Sequence, residues 1–215
     1  MLFPAILNGQ DKIRIGIHAE PIISWFGTDI DAVKSSGARS GFNFGIAIEK
    51  PFSPNYSFST GLNLISSGGK LTGKDTTILE LTNQTSEFLP VDPNKVVVYK
   101  IQYLSIPFGL KLKTNQIGYM TFFTDVGLDP KVVVGGKVDI PYLDISNEKA
   151  ASELKLFNAG YHIRAGFEYG IGGNTAFVLG LGFENNFLDI TEENGDQPKD
   201  IVTHRIISFR LGMIF

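Results

Sequence analysis

The last twelve residues of the chain, HRIISFRLGMIF, place an apolar side chain at every second position. The apolar set is Ile207, Phe209, Leu211, Met213 and Phe215, and Ser208, Arg210 and Gly212 lie between its members. A repeat of two is that of a β-strand, because successive side chains point to opposite faces of the sheet. The segment therefore predicts a strand with one apolar and one polar face. The fold depends on which solvent meets the apolar face.

The same alternation occurs in seven further segments. They are KIRIGIHAEPIISW (12–25), GFNFGIAIE (41–49), FSTGLNLI (58–65), YLSIPFGLKLK (103–113), TFFTDVGLDPKVVV (121–134), FNAGYHIRAGFEYG (157–170) and AFVLGLGFENNF (176–187). With 24 Gly, 17 Phe and only 19% charged residues, the composition favours glycine-punctuated aromatic strands over helices. No linker divides the 215 residues. We therefore expect an all-β fold, with an N-terminal extension over residues 1–11 and one eight-stranded antiparallel domain over residues 12–215.

The connections between these segments alternate in length. Three are short and rich in Pro, Gly and Asn, at 50–56, 113–118 and 170–175, as in hairpins. Four are long and polar, at roughly 27–40, 66–97, 137–154 and 188–202. In an up-and-down sheet alternate connections emerge at the same end, so one end carries tight turns and the other carries long loops. This asymmetry is typical of outer-membrane β-barrels, whose turns are periplasmic and whose loops are extracellular.

The polar faces of the segments combine small residues with charges of both signs. The charged members are Arg14, Glu20, Glu49, Lys111, Asp125, Arg164, Glu168, Glu184 and Arg210. An eight-stranded barrel is only wide enough inside for side chains, so these nine are predicted to form a charge network in the lumen. We expect the arginines to pair with the glutamates, since an unpaired charge in a narrow interior is costly.

The bulky Phe, Leu and Ile faces must then point outward. Facing water, such a belt would exceed the apolar patches that soluble monomers tolerate, whereas lipid accepts it. The sequence thus predicts an eight-stranded, up-and-down transmembrane β-barrel in the outer membrane of a Gram-negative bacterium. A soluble lipocalin-like binder is the alternative that would need the two faces reversed.

Composition excludes several other classes of protein. The net charge of −3, without any run of Lys or Arg, argues against a nucleic-acid partner. The absence of cysteine excludes disulfides, thiolate catalysis and cysteine-ligated zinc. Every apolar run is broken within about ten residues, short of the roughly 20 that a transmembrane helix needs. The opening MLFPAIL lacks the basic residues and length of a full secretory signal. We therefore expect either a cytosolic chain or a mature form numbered from an added Met1, and export is inferred from the barrel pattern alone.

The segment YLSIPFGLKLK, followed by a turn and FFTDVGLDP, resembles the PorT-like outer-membrane β-barrel family of Bacteroidota. The chain departs from that pattern at Ser105, where the family often carries Glu. The terminal strand also resembles the signal that the barrel-assembly machinery recognises, with Phe209, Leu211, Met213 and Phe215 as its residues. The resemblance implies an outer-membrane barrel but no single activity, because the family includes a component associated with type IX secretion.

The polar residues offer little catalytic chemistry. His18 lies two residues from Glu20, His162 lies near Arg164, and His204 shares a face with Ser208. A lipid-modifying enzyme would need such groups at the outer rim, and histidines spread over three strands are more simply lumen residues bonded to neighbours. Their spacing matches no zinc motif, and the acidic stretch at 189–197 lacks the calcium-loop register. We expect no enzyme, metal or cofactor.

The leading functional interpretation is a non-enzymatic anchor or accessory protein whose long extracellular loops contact a protein partner. It would also contact outer-membrane lipid and lipopolysaccharide, and a secretion or surface complex would be one setting for it. A narrow passive pore for small solutes is the alternative, although a lumen crowded by Arg14, Arg164, Glu168 and Arg210 argues against a wide channel.

The longest connection retains weak strand character over TTILELTNQTSEF. We expect the third and fourth strands to continue above the membrane as a twisted hairpin facing KVDIPYLDI at 137–145. Such a rim would offer Leu79, Leu81, Ile140 and Tyr142 as a candidate interaction surface. A mobile loop without a partner is an equally open alternative.

Overall fold

The computed structural model describes residues 12–29, 32–83, 85–150, 152, 154–191 and 201–215. For residues 80–83 and 85–88 it describes the backbone alone. The predicted N-terminal extension and most of the acidic stretch at 189–197 lie outside these ranges. Among the residues that are described, no helix is both long and apolar enough to cross a membrane.

Strands dominate the described chain, and a single 3₁₀ turn at Pro141–Leu143 accompanies them. The strands are β1 (Arg14–Thr28), β2 (Val33–Gly37), β3 (Arg39–Ser53), β4 (Tyr56–Gly73), β5 (Thr77–Asn83), β6 (Thr85–Val91), β7 (Val96–Ser105), β8 (Phe108–Lys113), β9 (Met120–Ile140), β10 (Ile145–Lys149), β11 (Phe157–Gly172), β12 (Thr175–Asn186) and β13 (Val202–Ile214).

Eight antiparallel strand positions close into a ring. Its order is β1, β3, β4, β7 with β8, β9, β11, β12 and β13, and β13 pairs back onto β1. β7 and β8 form one strand position that is interrupted at Ile106 and Pro107, because proline has no N–H to donate to the ladder. Closure leaves no unpaired edge in the ring, which is the condition for strands to cross lipid. The predicted eight-stranded barrel is confirmed.

The connections divide between the two ends as predicted. β3–β4, β8–β9 and β11–β12 are joined by short turns at one end, where β1 begins and β13 ends. At the other end, β2 pairs with β4, β10 pairs with β9, and β5 and β6 form a separate hairpin. β4 and β7 remain paired up to Thr72 and Val96, so the predicted continuation of these two strands beyond the belt is confirmed, whereas the hairpin of β5 and β6 forms a sheet of its own.

The outer face of the ring is apolar up to a sharp boundary. Ile17, Phe44, Phe58, Phe108 and Leu181 are among its exposed side chains. The uppermost apolar row crosses four adjacent strands in register and consists of Leu64, Leu104, Val132 and Phe157. Above this row, β4, β7 and β9 continue with mostly polar side chains on their outer face, and Val96 and Val134 are exposed apolar exceptions. The belt below the row is what lipid requires.

The interior contains two different blocks of buried side chains. Toward the short turns it holds a charged layer, whose members are described below. Toward the long loops it holds an apolar plug, which consists of Ile22, Phe26, Ile65, Leu71, Leu79, Val91, Val97, Tyr99, Ile101, Tyr103, Val138, Ile140, Ala150, Leu154, Ile190, Val202 and Ile206. Alternation predicted the polar interior but gave no indication of the plug.

Candidate functional site

The charged layer is built from the inward positions of seven ring strands. The structure places all nine predicted lumen residues on the inner face: Arg14, Glu20, Glu49, Lys111, Asp125, Arg164, Glu168, Glu184 and Arg210. It adds the inward-facing Lys113, Asp129 and Lys131, which the sequence pattern had assigned to polar faces but not to the network. The layer divides into two clusters at different depths.

The short-turn cluster consists of Arg14, Glu49, Lys111, Lys113 and Glu168. Arg14 Nη1 lies 2.9 Å from Glu168 and 3.3 Å from Glu49. Lys113 Nζ lies 2.6 Å from Glu49 and 2.9 Å from Glu168. Lys111 pairs with both glutamates, 2.6 Å from Glu168. Three cations thus share two carboxylates, and each carboxylate bridges several strands.

The central cluster begins with Glu20, which is almost completely buried. Its carboxylate lies 2.5 Å from Arg210 Nε and accepts a 2.9 Å hydrogen bond from the Asn43 amide. His18 Nε2 is 3.6 Å from the same carboxylate. The pairing of Arg210 with Glu20 agrees with the sequence expectation, and the register of β13, β1 and β3 brings the three side chains together.

In the rest of the central cluster, the ion pairs differ from the predicted pairing of arginines with glutamates. Arg164 faces two aspartates, Asp125 at 3.6 Å and Asp129 at 3.7 Å, and forms no ion pair with a glutamate among the described side chains. Glu184 pairs with the fully buried Lys131. The reason is register, because β11 and β9 place Arg164 directly opposite Asp125. Partners of this kind depend on register between strands distant in sequence, which alternation within a strand does not encode.

Two glycines make room for the large polar groups. A Cβ on Gly45 would lie 2.1 Å from the Asn63 amide oxygen and 2.6 Å from the His18 ring. A Cβ on Gly127 would lie 2.1 Å from the carbonyl oxygen of Phe108 and 2.8 Å from the His162 ring. Small residues beside long charged ones therefore have the packing role that the sequence suggested.

The three histidines are buried in the interior and have close neighbours. His162 Nδ1 lies 2.6 Å from Asp129 Oδ2, and His204 Nδ1 lies 3.3 Å from the Tyr103 hydroxyl. None of the three lies at an outer rim that lipid could reach. Within the described ranges, no group of three or more His, Asp or Glu side chains has the arrangement to hold a metal ion.

The candidate interaction surface needs a correction. Leu79 and Ile140 are 1% and 0% exposed, because the β5–β6 hairpin and the top of β9 turn these side chains into the apolar plug. Tyr142 is half-buried against the plug, and its hydroxyl accepts a hydrogen bond from the backbone N–H of Asp92. The side chain of Leu81 lies outside the described residues. Alternation identified the strands here but assigned the apolar face to the wrong side.

One cavity of about 720 Å³ opens at the short-turn end. Arg14, Lys113 and Glu168 are among its lining residues, together with Tyr119 and Thr175 on the turns. Farther up, between the central cluster and the plug, a void of about 10 Å³ has room for at most one water. Beyond this void, the described side chains of the apolar plug are almost completely buried, so among the described residues the cavity is a vestibule closed at its inner end.

Asp189 joins the described ends of the loop between β12 and β13 to Lys155, which precedes β11. Its carboxylate lies 2.6 Å from the Lys155 ammonium and accepts hydrogen bonds from Thr191 and from the Val202 N–H. Burial opposes ionisation of Asp189, but the bonds from Lys155, Val202 and Thr191 outweigh it and lower the pKa of this carboxyl. The neighbouring Ile190 belongs to the plug.

Comparison with known proteins agrees with this architecture. A family model described as outer membrane protein beta-barrel domain matches residues 8–192. Neisserial surface protein A superposes with a TM-score of 0.51 at 12% identity, over 93% of this chain and 95% of that one. OprG from Pseudomonas aeruginosa gives a TM-score of 0.49 at 11% identity, over 96% and 97% of the two chains. Among curated proteins no sequence matches.

Proposed function

Because the chain belongs to the outer membrane protein β-barrel domain family, and is thus an outer-membrane protein of a Gram-negative bacterium, we propose that it is a closed, non-enzymatic anchor. In this proposal it carries a folded extracellular rim that docks a protein partner. The observation that carries the proposal is the filled interior, in which a charged layer and an apolar plug occupy successive levels.

The filled interior favours an anchor over the alternative of a narrow passive pore. A solute entering the vestibule would meet the short-turn cluster, where each carboxylate already binds several cations. Beyond it lies the plug, in which Ile101, Val138 and Ile140 are at most 1% exposed. Opening a path would cost both buried ion pairs and packed apolar area.

The rim supports docking because it is ordered by strands. It consists of β2, β5, β6 and β10 together with the parts of β4, β7 and β9 above the apolar belt. Its exposed apolar side chains include Ile78 at 49% and Leu143 at 39%. These two replace the buried Leu79 and Ile140 as contact residues in the proposal. Exposed apolar side chains on a rim ordered by strands are suited to binding another protein.

Two narrower assignments belong to the same proposal. YLSIPFGLKLK favours the PorT-like family of Bacteroidota, and therefore a role as an accessory subunit of a surface or secretion complex. The terminal residues Phe209, Leu211 and Phe215 are exposed on the outer face, with Met213 half-buried beside them. This placement suits recognition of the last strand by the barrel-assembly machinery.

The test combines conductance with recovery of partners. The purified barrel in a planar bilayer is expected to show no stepwise current, because the plug blocks the lumen. The double variant Ile78→Asp and Leu143→Asp is expected to insert normally and to lose the proteins that co-purify with the wild type from native membranes. Ile117→Asp is the matched control, since Ile117 is exposed on a short turn at the opposite end.

Stable wild-type conductance would refute the closed anchor and favour the pore. An unchanged set of co-purified proteins in the rim variant would refute docking through Ile78 and Leu143. If the control variant loses the same proteins, the loss reflects a general defect and docking at the rim is likewise refuted.

A further inference from the structure

A row of lysines crosses the outer wall of the barrel just above the apolar belt. The register pairs Lys100 on β7 with Lys137 on β9, and Lys137 with Lys149 on β10. The neighbouring Val138 is completely buried in the plug, so Lys137 and its two partners point outward. We call Lys100, Lys137 and Lys149 the lysine row.

Only part of this positive charge is balanced within the described chain. Lys100 Nζ lies 2.5 Å from Asp139 and 2.9 Å from the Asn147 side chain. Lys137 and Lys149 are exposed, and no described side chain pairs with either of them. Lys70 on β4 lies opposite Val98, on the diagonal from Lys100, and adds a further cation.

Such a row is unfavourable in the protein alone. Side chains directly opposite on adjacent strands have Cβ atoms about 5 Å apart, and like charges in that position destabilise the sheet. Lys137 stands opposite a lysine on each side. An anion bound between the ammonium groups would turn this repulsion into attraction.

The height of the lysine row above the apolar belt indicates which anions it can reach. The uppermost apolar row contains Leu104 and Val132, and Lys100 lies four residues beyond Leu104 on the same strand. At about 3.3 Å per residue and a tilt near 40°, this places the row roughly 10 Å above the last apolar pair. Lysine side chains extend back toward the surface, and the headgroup region is about 5–8 Å thick on each side. The ammonium groups can therefore reach lipid phosphates.

We propose that Lys137 and Lys149, with Lys70 and Lys100 beside them, bind the phosphate groups of outer-leaflet lipid and so fix the rim against the membrane surface. This inference goes beyond the proposed function, since it requires the barrel in its membrane but not the protein partner. It explains why the outer face of β4, β7, β9 and β10 carries lysines whose charge is only partly balanced within the described chain.

The test uses the purified full chain in uncharged detergent micelles with lipid A that carries two phosphates. Lipid A is expected to bind the wild type and to raise its unfolding midpoint. The variant K137Q/K149Q is expected to bind roughly 30-fold more weakly, from about 1 kcal/mol for each lysine near a lipid surface. Without lipid, the same variant is expected to unfold at an equal or higher midpoint, because the cross-strand repulsion is gone.

Two further variants provide the controls. K12Q/K50Q removes two lysines at the short-turn end and should retain the lipid affinity of the wild type. K137R/K149R keeps both charges and should retain it as well, which separates loss of charge from faulty folding. Native mass spectrometry reports bound lipid, and urea titration reports the midpoint.

Three results would overturn the proposal. One is equal lipid A affinity for the wild type and K137Q/K149Q. The second is equal binding of dephosphorylated lipid A, which would show that the acyl chains and not the phosphates are recognised. The third is equal protection by inorganic phosphate at the same concentration, which would assign the row to a free anion and not to a lipid.

Discussion

The two halves of the barrel interior are both filled by buried side chains, but one half is charged and the other is apolar. In the half beside the short turns, Glu49 and Glu168 hold three cations together. In the half beside the long loops, Ile101 and Val138 pack in a core like that of a soluble β-protein. The outer face changes in the opposite sense, from apolar in the belt to lysine-bearing above it. In each half, therefore, the outer face matches the surrounding solvent and the interior has the opposite polarity.

A β-bulge lets β9 contribute inward-facing residues to both halves of the interior. Tyr103 pairs with Val133 whereas Gln102 pairs with Gly135, so β9 carries one extra residue at this point. Below it, Lys131 points inward, and above it, Lys137 points outward. A bulge shifts the side-chain alternation by one residue. The difference between the halves shows that the apolar face of a strand can change along its length. The change occurs near the membrane boundary.

The largest expected effect comes from unbalancing the charged half. Glu168→Gln leaves Arg14, Lys111 and Lys113 with Glu49 alone, and breaking a buried pair costs about 3–5 kcal/mol. Unfolding in urea, followed by the fluorescence of the single tryptophan, measures this loss. The double variant E168Q/K111Q should recover part of it because the excess charge is smaller. A stability unchanged from the wild type would show that the short-turn cluster is hydrated and screened.

A smaller and more local effect is expected in the apolar half. Ile140→Ala removes a completely buried side chain from the plug and should cost about 2–5 kcal/mol through lost burial and the cavity left behind. Hydrogen exchange should rise in β7 and β9 above the Leu104–Val132 pair while the belt stays protected. Ile163→Ala, on the lipid-facing surface, is the control, since lipid can fill the space. Equal effects at both positions would contradict a separate plug.

The smallest effect concerns a charge outside the lumen. Because the pKa of Asp189 is lowered in the folded state, its contribution is present above the ordinary Asp pKa of about 4 and is lost as the pH falls through the folded value. Asp189→Asn should therefore lower stability at neutral pH by a few tenths to about 1 kcal/mol, since water screens this pair. The difference should shrink on acidification in urea titrations. A pH-independent difference, or an equal one in the exposed Asp75→Asn, would contradict this role.

Much of the barrel was predictable because alternation is a property of neighbouring residues. It identified eight strand positions and nine of the twelve charged side chains in the layer, and it missed Lys113, Asp129 and Lys131. Partner choice was not predictable in the same way, as Arg164 and Glu184 show, because it depends on register between strands far apart in the chain. The prediction that Leu79 and Ile140 are exposed was wrong for a related reason. A local pattern shows that two faces differ but not which of them turns inward.

By itself, the sequence determined the antiparallel strands, the closed barrel and the apolar belt, since a period of two and the lengths of the connections are encoded locally. The tertiary structure alone decided that the upper lumen is apolar, that a bulge in β9 exchanges its faces, and that Lys100, Lys137 and Lys149 stand side by side. The physical reason is closure of the ring. Closure fixes the register and the boundary with lipid, and these determine which side chains meet and which solvent each face contacts.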